Sequence, residues 1–216
     1  MKTSKGYASL LAALLVSAAA ASAQNILTNG SFESYGGTGF NSNIGAGLQG
    51  WTIGNTGGID IVLSSGVEPD YWQAADGNVS LSLNWFSPGS ISQTVATMLG
   101  APYRLSFSMA AEIYGGQPTR TMDVLWNGVL VSSPSFNYIG QGPNSMGWMQ
   151  FNYDVVGTGS DTLTFQSTTA ENYGPALDDV MLHSVPEPSI IALVGVAGLA
   201  LLIVGRKKGA QIRPAR

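Results

Sequence analysis

The sequence predicts an all-β sandwich or barrel, and three observations support this fold class. Short segments with an apolar residue at every second position recur along the chain, which is the pattern of strands with one buried face. Gly accounts for 28 of the 216 residues, and glycine-rich turns between short strands are typical of all-β folds. Residues 24–184 contain no run with helical periodicity, and they are long enough to form one domain with a sizeable core.

The alternating segments predict six strands and one tight hairpin. Asn127-Gly128 lies between Thr121–Trp126 and Val129–Ser132, and this dipeptide favours a two-residue hairpin turn. Ser34–Gly50 carries six Gly and little periodicity, so we predict a long surface loop there. The six strand segments, in chain order, are Ile59–Leu63, Val79–Leu83, Leu105–Met109, Met122–Trp126, Met149–Val155 and Leu163–Phe165.

Composition and charge exclude several classes of protein. The chain has no Cys, which excludes a disulfide framework, thiolate metal sites and thiol catalysis. Charged residues make up only 10% of the chain, too few for charge-rich disordered, coiled-coil or nucleic-acid-binding classes. Of the nine Lys and Arg, only Arg104 and Arg120 lie in residues 24–184, together with twelve of the thirteen acids, so this body carries 2 − 12 = −10. An acidic body of this kind repels nucleic acid and attracts cations.

Residues 1–23 have the composition of a secretory signal peptide. Lys2 and Lys5 form a positive region, and a largely apolar run follows from Ala8 to Ala20. Small residues then precede a predicted cleavage site between Ala23 and Gln24. The sequence therefore predicts an exported protein with a body at 24–184.

The C-terminal segment combines three features in order. Pro186-Glu187-Pro188 comes first, residues 189–205 then carry no charge, and Arg206-Lys207-Lys208 follow. Seventeen apolar residues span about 25 Å as a helix, enough for a short transmembrane segment. The basic cluster predicts that residues 209–216 form a cytoplasmic tail of a single-pass inner-membrane precursor.

This segment, residues 185–208, resembles the PEP-CTERM sorting signal of Gram-negative bacteria. The resemblance implies an exosortase-type protease as a partner, which cuts near Pro186-Glu187-Pro188 and releases the body to the cell surface or beyond it. The association of such signals with exopolysaccharide production further implies extracellular polysaccharide as a partner. A permanent membrane anchor is the alternative reading of the same residues.

An ordered set of segments runs through the body: Asn29-Gly30-Ser31-Phe32-Glu33, Gly50-Trp51, Tyr71-Trp72-Gln73-Ala74-Ala75-Asp76-Gly77, Ser80–Asn84, Ile91–Thr94 and Asp178-Asp179-Val180. This set resembles the galactose-binding-like jelly rolls, to which many carbohydrate-binding modules belong, and more narrowly the choice-of-anchor C family. The resemblance implies a jelly-roll β-sandwich and a bacterial exported domain.

A structural Ca²⁺ is predicted between the start and the end of the body. If Val180 and Leu182 face the core, alternation puts Asp178 on the same face, where a lone carboxylate needs a partner or a cation. Leu177 and Met181 alternate equally well, so the orientation stays open. The jelly-roll resemblance implies Glu33, Asp178 and the backbone carbonyl of Asn29 as ligands, a hard-oxygen set that suits calcium. The alternative is that Asp178 caps backbone amides and Glu33 pairs with an arginine.

Aromatic residues are the second kind of candidate site. Trp51 and Trp126 are predicted to be core residues, whereas Trp85, Phe86 and Tyr138 lie near turn residues and are candidate platforms for sugar rings. No catalytic residue is predicted, since the single His and the scattered acids form no recognisable motif. We therefore expect a non-catalytic, carbohydrate-binding surface or matrix protein. The alternatives are a calcium-dependent adhesive protein without glycan specificity and a glycan hydrolase.

Overall fold

The computed structural model describes residues 24–36, 41–43, 47–54, 57–65 and 71–185. The signal peptide, the Pro186-Glu187-Pro188 motif, the apolar segment 189–205 and the tail 209–216 lie outside these residues. The described strands are β1 (Asn41–Asn43), β2 (Thr52–Gly54), β3 (Ile59–Leu63), β4 (Val79–Ser82), β5 (Ser90–Ala96), β6 (Pro102–Ala111), β7 (Thr119–Trp126), β8 (Val129–Ser132), β9 (Ser135–Asn137), β10 (Met149–Val156), β11 (Ser160–Ser167) and β12 (Pro175–Ser184).

The strands form two antiparallel sheets that pack face to face. The first sheet has the order β1-β3-β4-β12-β6-β10, and the second has the order β2-β5-β11-β7-β8, with β9 paired to the start of β7. All residues in regular structure within the described ranges are in strands. The predicted all-β sandwich is confirmed. No helix among the described residues is long and apolar enough to cross a membrane.

The core lies between the two sheets. Phe107 of β6 meets Phe165 of β11 edge to face, with ring centroids 5.0 Å apart, so alternate residues of β6 on either side of Phe107 also face the second sheet. Each of the six predicted segments lies in or overlaps a strand. Trp51 and Trp126 are buried, as predicted. The segment at β10 is an edge strand, which leaves Met149 51% exposed.

A β-bulge settles the orientation of the last strand. Leu177 pairs with Met109 and Leu182 pairs with Leu105, so both face the core although they are an odd number of residues apart. The register shifts between Asp178 and Met181, and Asp179 has a positive φ of 51°. Asp178 pairs with Ser108 and therefore lies on the outer face of its sheet, not on the core face shared with Leu182. An extra residue in one strand is what allows both phases of the alternation to be buried.

Two local predictions have different outcomes. Asn127 and Gly128 have φ values of 53° and 76° and connect β7 to β8, as the predicted hairpin requires. The prediction of one long surface loop at Ser34–Gly50 is wrong, because β1 lies inside it and pairs with β3. Tyr35 and Leu48 also form a β-bridge. Short pairing of this kind relies on backbone hydrogen bonds and leaves little apolar periodicity in the sequence.

The antiparallel strands give the sandwich two distinct ends. We call the upper end the one formed by loops 83–89, 112–118 and 168–174, and the lower end the one formed by loops 97–101, 127–128 and 157–159. The last strand runs from the upper end to the lower end, where the Val185 amide donates to the Pro102 carbonyl oxygen over 3.0 Å. The chain therefore leaves the described body at the lower end.

Candidate ligand-binding site

The upper end brings the three predicted aromatic candidates into neighbouring loops. Trp85 and Phe86 follow β4, and their ring centroids lie 4.0 Å apart at an interplanar angle of 36°. Phe86 is 62% exposed, and Trp85 is half-buried. Tyr138 is half-buried in the loop after β9. The Phe86 amide donates to the Gly57 carbonyl oxygen, which fixes the backbone of this aromatic pair against the loop before β3.

A fully buried arginine organises the same end. Arg120 is the second residue of β7, and its side chain is 0% exposed. Its guanidinium donates to the carbonyl oxygens of Gln117 and Gly115, and it lies 3.6 Å from the Glu171 carboxylate. The ring of Tyr138 stacks beneath it, with the guanidinium carbon 5.3 Å from the ring centroid. The charge is thus paired, as a buried guanidinium must be.

Asn84 links the aromatic pair to this arginine. Its amide nitrogen donates to the carbonyl oxygens of Thr169 and Glu171, so the residue before Trp85 is tied to the carboxylate partner of Arg120. Two buried atoms at this end, Asn84 Oδ1 and Arg120 Nε, have no hydrogen-bond partner among the described residues. Buried polar atoms of this kind normally find a partner, so an ordered water fits here.

A carboxyl group with a raised pKa completes the upper end. Glu112 follows β6 and accepts hydrogen bonds from the Ser82 hydroxyl at 3.0 Å and from the Gly174 amide at 3.3 Å. Burial raises the pKa of Glu112 to about 7 despite these two donors, and the nearby Asp60 carboxylate raises it further while Arg120 opposes the shift. Perturbed titrating groups in a cleft are typical of functional sites.

The lower end has a network of a different kind. Asp161 of β11 is 0% exposed, and its carboxylate accepts hydrogen bonds from Thr97, from Asn127 at 2.5 Å, and from both the amide and the hydroxyl of Thr158. Burial alone raises the pKa of this group, but the hydrogen bonds from Thr158, Thr97 and Asn127 outweigh burial and hold the pKa at about 2. One ionised carboxylate therefore joins all three lower loops.

Comparison with known proteins identifies the family. The model of the family described as "Protein of unknown function (DUF642)" matches residues 25–183. This chain belongs to the DUF642 family. No curated protein matches the sequence.

Solved structures show what the DUF642 fold is similar to. The CBM22-1–CBM22-2 tandem domain of Paenibacillus barcinonensis Xyn10C superposes with a TM-score of 0.50 at 16% identity, covering 77% of this chain and 47% of that one. A family 35 carbohydrate-binding module from Clostridium thermocellum gives 0.43 at 20% identity, covering 62% and 92%. TmCBM61, solved in complex with β-1,4-galactotriose, gives 0.45 at 15% identity, covering 75% and 99%. At such identities the likeness concerns the fold alone.

The residues predicted to bind Ca²⁺ in this DUF642 chain hold one loop through its backbone. Glu33 Oε1 accepts hydrogen bonds from the amides of Asn78 and Val79. Asp178 accepts three more amide hydrogen bonds, from Ala75 and Asp76 at 2.7 and 2.9 Å and from Asp179 at 2.6 Å. We call this pair of carboxylates, Glu33 and Asp178, the amide clamp.

Calcium at the amide clamp stays a prediction. The third predicted ligand, the carbonyl oxygen of Asn29, accepts a hydrogen bond from the Trp51 indole at 3.0 Å. The described part of the chain contains no group of three His, Asp or Glu side chains placed to hold a metal. Burial raises the pKa of Asp178 to about 7, against the lowering effect of its three amide partners.

Sequence reasoning missed the polar half of the upper end. Arg120 had a signal, since it lies two residues before Met122 in the alternation that continues through Val124 and Trp126, and this phase points inward. Asn84 and Glu112 lie just beyond the ends of β4 and β6, where periodicity stops. Only the antiparallel packing brings them near Arg120, and no local pattern in the sequence encodes that approach.

Proposed function

We propose that this DUF642 chain is an exported, non-catalytic carbohydrate-binding module that holds its ligand at the upper end. The observation that carries the proposal is the Trp85–Phe86 pair, in which Phe86 is exposed and Trp85 is half-buried, directly beside Asn84 with its unpartnered buried oxygen. A sugar ring has an apolar face and a rim of hydroxyl groups. A site for it needs an aromatic surface together with a few fixed polar atoms.

The polar atoms at the upper end match the two roles of a sugar hydroxyl. Asn84 Oδ1 accepts a hydrogen bond, and Arg120 Nε donates one. A hydroxyl group serves as both donor and acceptor, and because both atoms are fully buried it would reach them through a bridging water. Carbonyl partners and Glu171 fix the Arg120 guanidinium, so binding does not require it to be ordered first.

The charges at this end favour a neutral glycan. The carboxyl groups of Glu112 and Glu171 lie near the cation of Arg120, and that of Asp60 lies near Glu112. A sugar acid would add a further negative charge to this excess and would face an acidic body. We therefore propose a neutral polysaccharide of the extracellular matrix as the ligand. Similar solved structures are described as carbohydrate-binding modules, which agrees with the proposal but supports it only through the fold.

Export and sorting form the second part of the proposal. The signal peptide at 1–23 would direct the chain across the inner membrane, and residues 189–205 would hold it there. An exosortase-type protease acting near Pro186-Glu187-Pro188 would then release the body. The support is the order of these segments in the sequence. The intact mass of protein recovered outside the cell tests this, because a mass that retains residues 189–216 contradicts release.

Binding to a polysaccharide panel tests the ligand. The full chain in mild detergent should bind a neutral glycan saturably, and Phe86→Ala and Trp85→Ala should each weaken the affinity by about tenfold, the equivalent of about 1.4 kcal/mol. Leu130→Ala is the matched control, because it removes an exposed apolar side chain (55% exposed) from β8. Saturable binding that Phe86→Ala and Trp85→Ala leave unchanged, or binding only to uronic acid polymers, would contradict the proposed site.

We keep calcium at the amide clamp as a separate proposal. Glu33, near the start of the body, and Asp178, in its last strand, bind amides of the same loop before β4, and calcium prefers oxygen ligands of this kind. Five backbone amides already bind Glu33 and Asp178, so calcium must displace some of them. Calcium at 100 times its Kd should raise the stability by about 2.7 kcal/mol, and Glu33→Gln should abolish that gain. Equal melting temperatures with calcium and with chelator would contradict calcium binding. An effect of calcium on stability without any glycan binding would favour the calcium-dependent adhesive alternative.

A further inference from the structure

Exposed apolar side chains gather at the lower end. Leu99 and Met98, at 83% and 73% exposed, are the two most exposed large apolar residues of the described chain, and they form the tip of loop 97–101. Val156 is 58% exposed on the neighbouring strand, where it pairs with Pro102. Turn tips normally carry Gly, Asn, Asp, Ser or Pro. Here Gly100 takes the turn position with a positive φ of 78°, and exposed apolar side chains occupy the two positions before it.

The β7–β8 hairpin extends this surface. The Trp126 indole nitrogen donates to the Val156 carbonyl oxygen over 3.0 Å, which places Val129, 70% exposed, at the same end. We call Met98, Leu99, Val129 and Val156 the apolar end. An apolar cluster of this kind, unlike single exposed residues, is typical of a surface that meets a partner or a membrane.

The three loops that define the lower end carry no charged residues. Loops 97–101, 127–128 and 157–159 contain no Asp, Glu, Lys or Arg, although the body as a whole has twelve acids. Asp161, whose carboxylate binds these loops, is buried and accepts four hydrogen bonds from them. No exposed charge on these loops has to be desolvated when the tips enter an apolar phase. An anionic bilayer repels the acidic remainder of the body and so favours this end as the one that approaches.

The chain leaves the body at this end. Val185 donates to the carbonyl oxygen of Pro102, the first residue of the strand that follows the Met98–Leu99 tip. Only Pro186-Glu187-Pro188 separates Val185 from Ser189, the start of the predicted membrane segment, and four residue steps span at most about 14 Å. A body anchored through residues 189–205 thus keeps its lower end close to the bilayer.

We propose that the apolar end is a lipid-contacting surface that seats the precursor on the membrane and points the upper end away from it. This inference rests on the proposed membrane anchoring of the precursor, and the partner is the lipid itself. Contact at Met98 and Leu99 would hold the Pro186-Glu187-Pro188 motif at the membrane surface, where a membrane protease can reach it. It would also leave the Trp85–Phe86 pair free to bind polysaccharide before release.

The absence of Cys from the chain allows a direct test by site-specific labelling. The full chain is reconstituted into phosphatidylcholine vesicles with a fluorophore on Leu99→Cys or, as the matched control, on Asn172→Cys, an exposed residue of the upper end. A lipid-attached quencher should reduce the emission at position 99 several-fold more than at position 172. Met98→Ser, combined with the label at position 99, should diminish that quenching, whereas Ile139→Ser, 69% exposed and remote from the apolar end, should not.

Each other outcome overturns the inference in a distinguishable way. Chains that float with the vesicles but show equal quenching at both positions retain the anchor and refute lipid contact. Shielding of position 99 from a water-soluble quencher without lipid quenching means that protein covers the apolar end. Chains that do not float with vesicles refute the proposed anchoring, and the inference with it, while the glycan-binding experiment remains a separate result.

Discussion

The two ends of the sandwich differ in how they treat a buried carboxyl group. At the lower end, four hydrogen bonds reach Asp161 and hold its pKa at about 2. At the upper end, two hydrogen bonds reach Glu112, and its pKa rises to about 7. Both groups lose hydration on folding, so the difference lies in the donors that replace the water. The hydrogen bonds at the lower end stabilise the ionised form of Asp161, whereas the surroundings of Glu112 at the upper end destabilise its ionised form.

This difference distinguishes a structural network from the proposed binding site. The Asp161 network satisfies its carboxylate and ties three loops together. The upper end leaves Asn84 Oδ1 and Arg120 Nε without protein partners among the described residues and surrounds a single cation with several acids. Proteins tolerate such unfavourable electrostatics where a ligand completes the site, because function and stability are often traded against one another. The comparison predicts that removing the carboxylate of Glu112 raises the stability at neutral pH, whereas removing the carboxylate of Asp161 lowers it.

The largest effect is expected for Arg120→Met. This substitution removes the guanidinium that donates to the Gln117 and Gly115 carbonyl oxygens and leaves Glu171 without its cation. Breaking a buried charge network in this way costs about 3–5 kcal/mol. Urea denaturation at pH 7 measures the loss of stability.

Arg104→Met is the matched control for this experiment. Arg104 also pairs with a carboxylate, that of Asp154 at 2.5 Å, but the two side chains are 42% and 66% exposed. Exposed pairs contribute about 0–1 kcal/mol. Similar losses for the two arginine variants would show that burial does not set the importance of the upper network.

Glu112→Gln is expected to stabilise the protein at neutral and alkaline pH. The folded-state pKa of about 7 lies above the ordinary value of 4.5, so the folded protein binds more protons than the unfolded chain in this window. Stability therefore falls as the pH rises from about 4.5 to about 7, and the neutral Gln avoids this loss. The gain should be about 2 to 3 kcal/mol at pH 8 and should vanish near pH 4. A variant less stable than the parent at pH 8 would contradict the raised pKa.

Asp161→Asn is expected to act in the opposite direction. The folded-state pKa of about 2 lies below the ordinary value of 3.8, so the ionised group stabilises the fold above about pH 4, and this contribution is lost as the pH falls toward 2. The variant should lose about 2 kcal/mol at pH 6. The difference in free energy of unfolding between variant and parent, measured from denaturation curves, should narrow below pH 3. A difference that does not depend on pH would mean that the hydrogen bonds do not favour the ionised form of Asp161.

The sequence predicted the framework of the sandwich because its main strands alternate. Segments such as Met122–Trp126 and Leu163–Phe165 bury one face each, and burial of one face leaves a period of two in the sequence. The bulge at Asp179 was not predictable in this way. Apolar residues occupy both sets of alternate positions in β12, so the sequence did not show where the alternation changes. The short strand β1 was missed because backbone pairing with β3 positions it, without an apolar pattern of its own.

The candidate site was predictable only in its aromatic half. Phe86 is exposed, as a residue next to turn residues should be. Glu112, in contrast, owes its raised pKa to burial beside Ser82, Gly174 and Asp60, which come from three other parts of the chain. Desolvation depends on long-range packing, and a single sequence without the fold does not specify it.

The smallest effect on stability is expected at the residue we consider most important for binding. Phe86 is 62% exposed, and its stacking with Trp85 is worth about 0.5–1.5 kcal/mol at most, so Phe86→Ala should lower the stability by less than about 1 kcal/mol in the same urea titration. The variant should nevertheless lose about tenfold in glycan affinity. A binding surface requires an aromatic side chain that is exposed and contributes little to the stability of the fold. A large loss of stability in Phe86→Ala would instead show that Phe86 belongs to the core at the upper end.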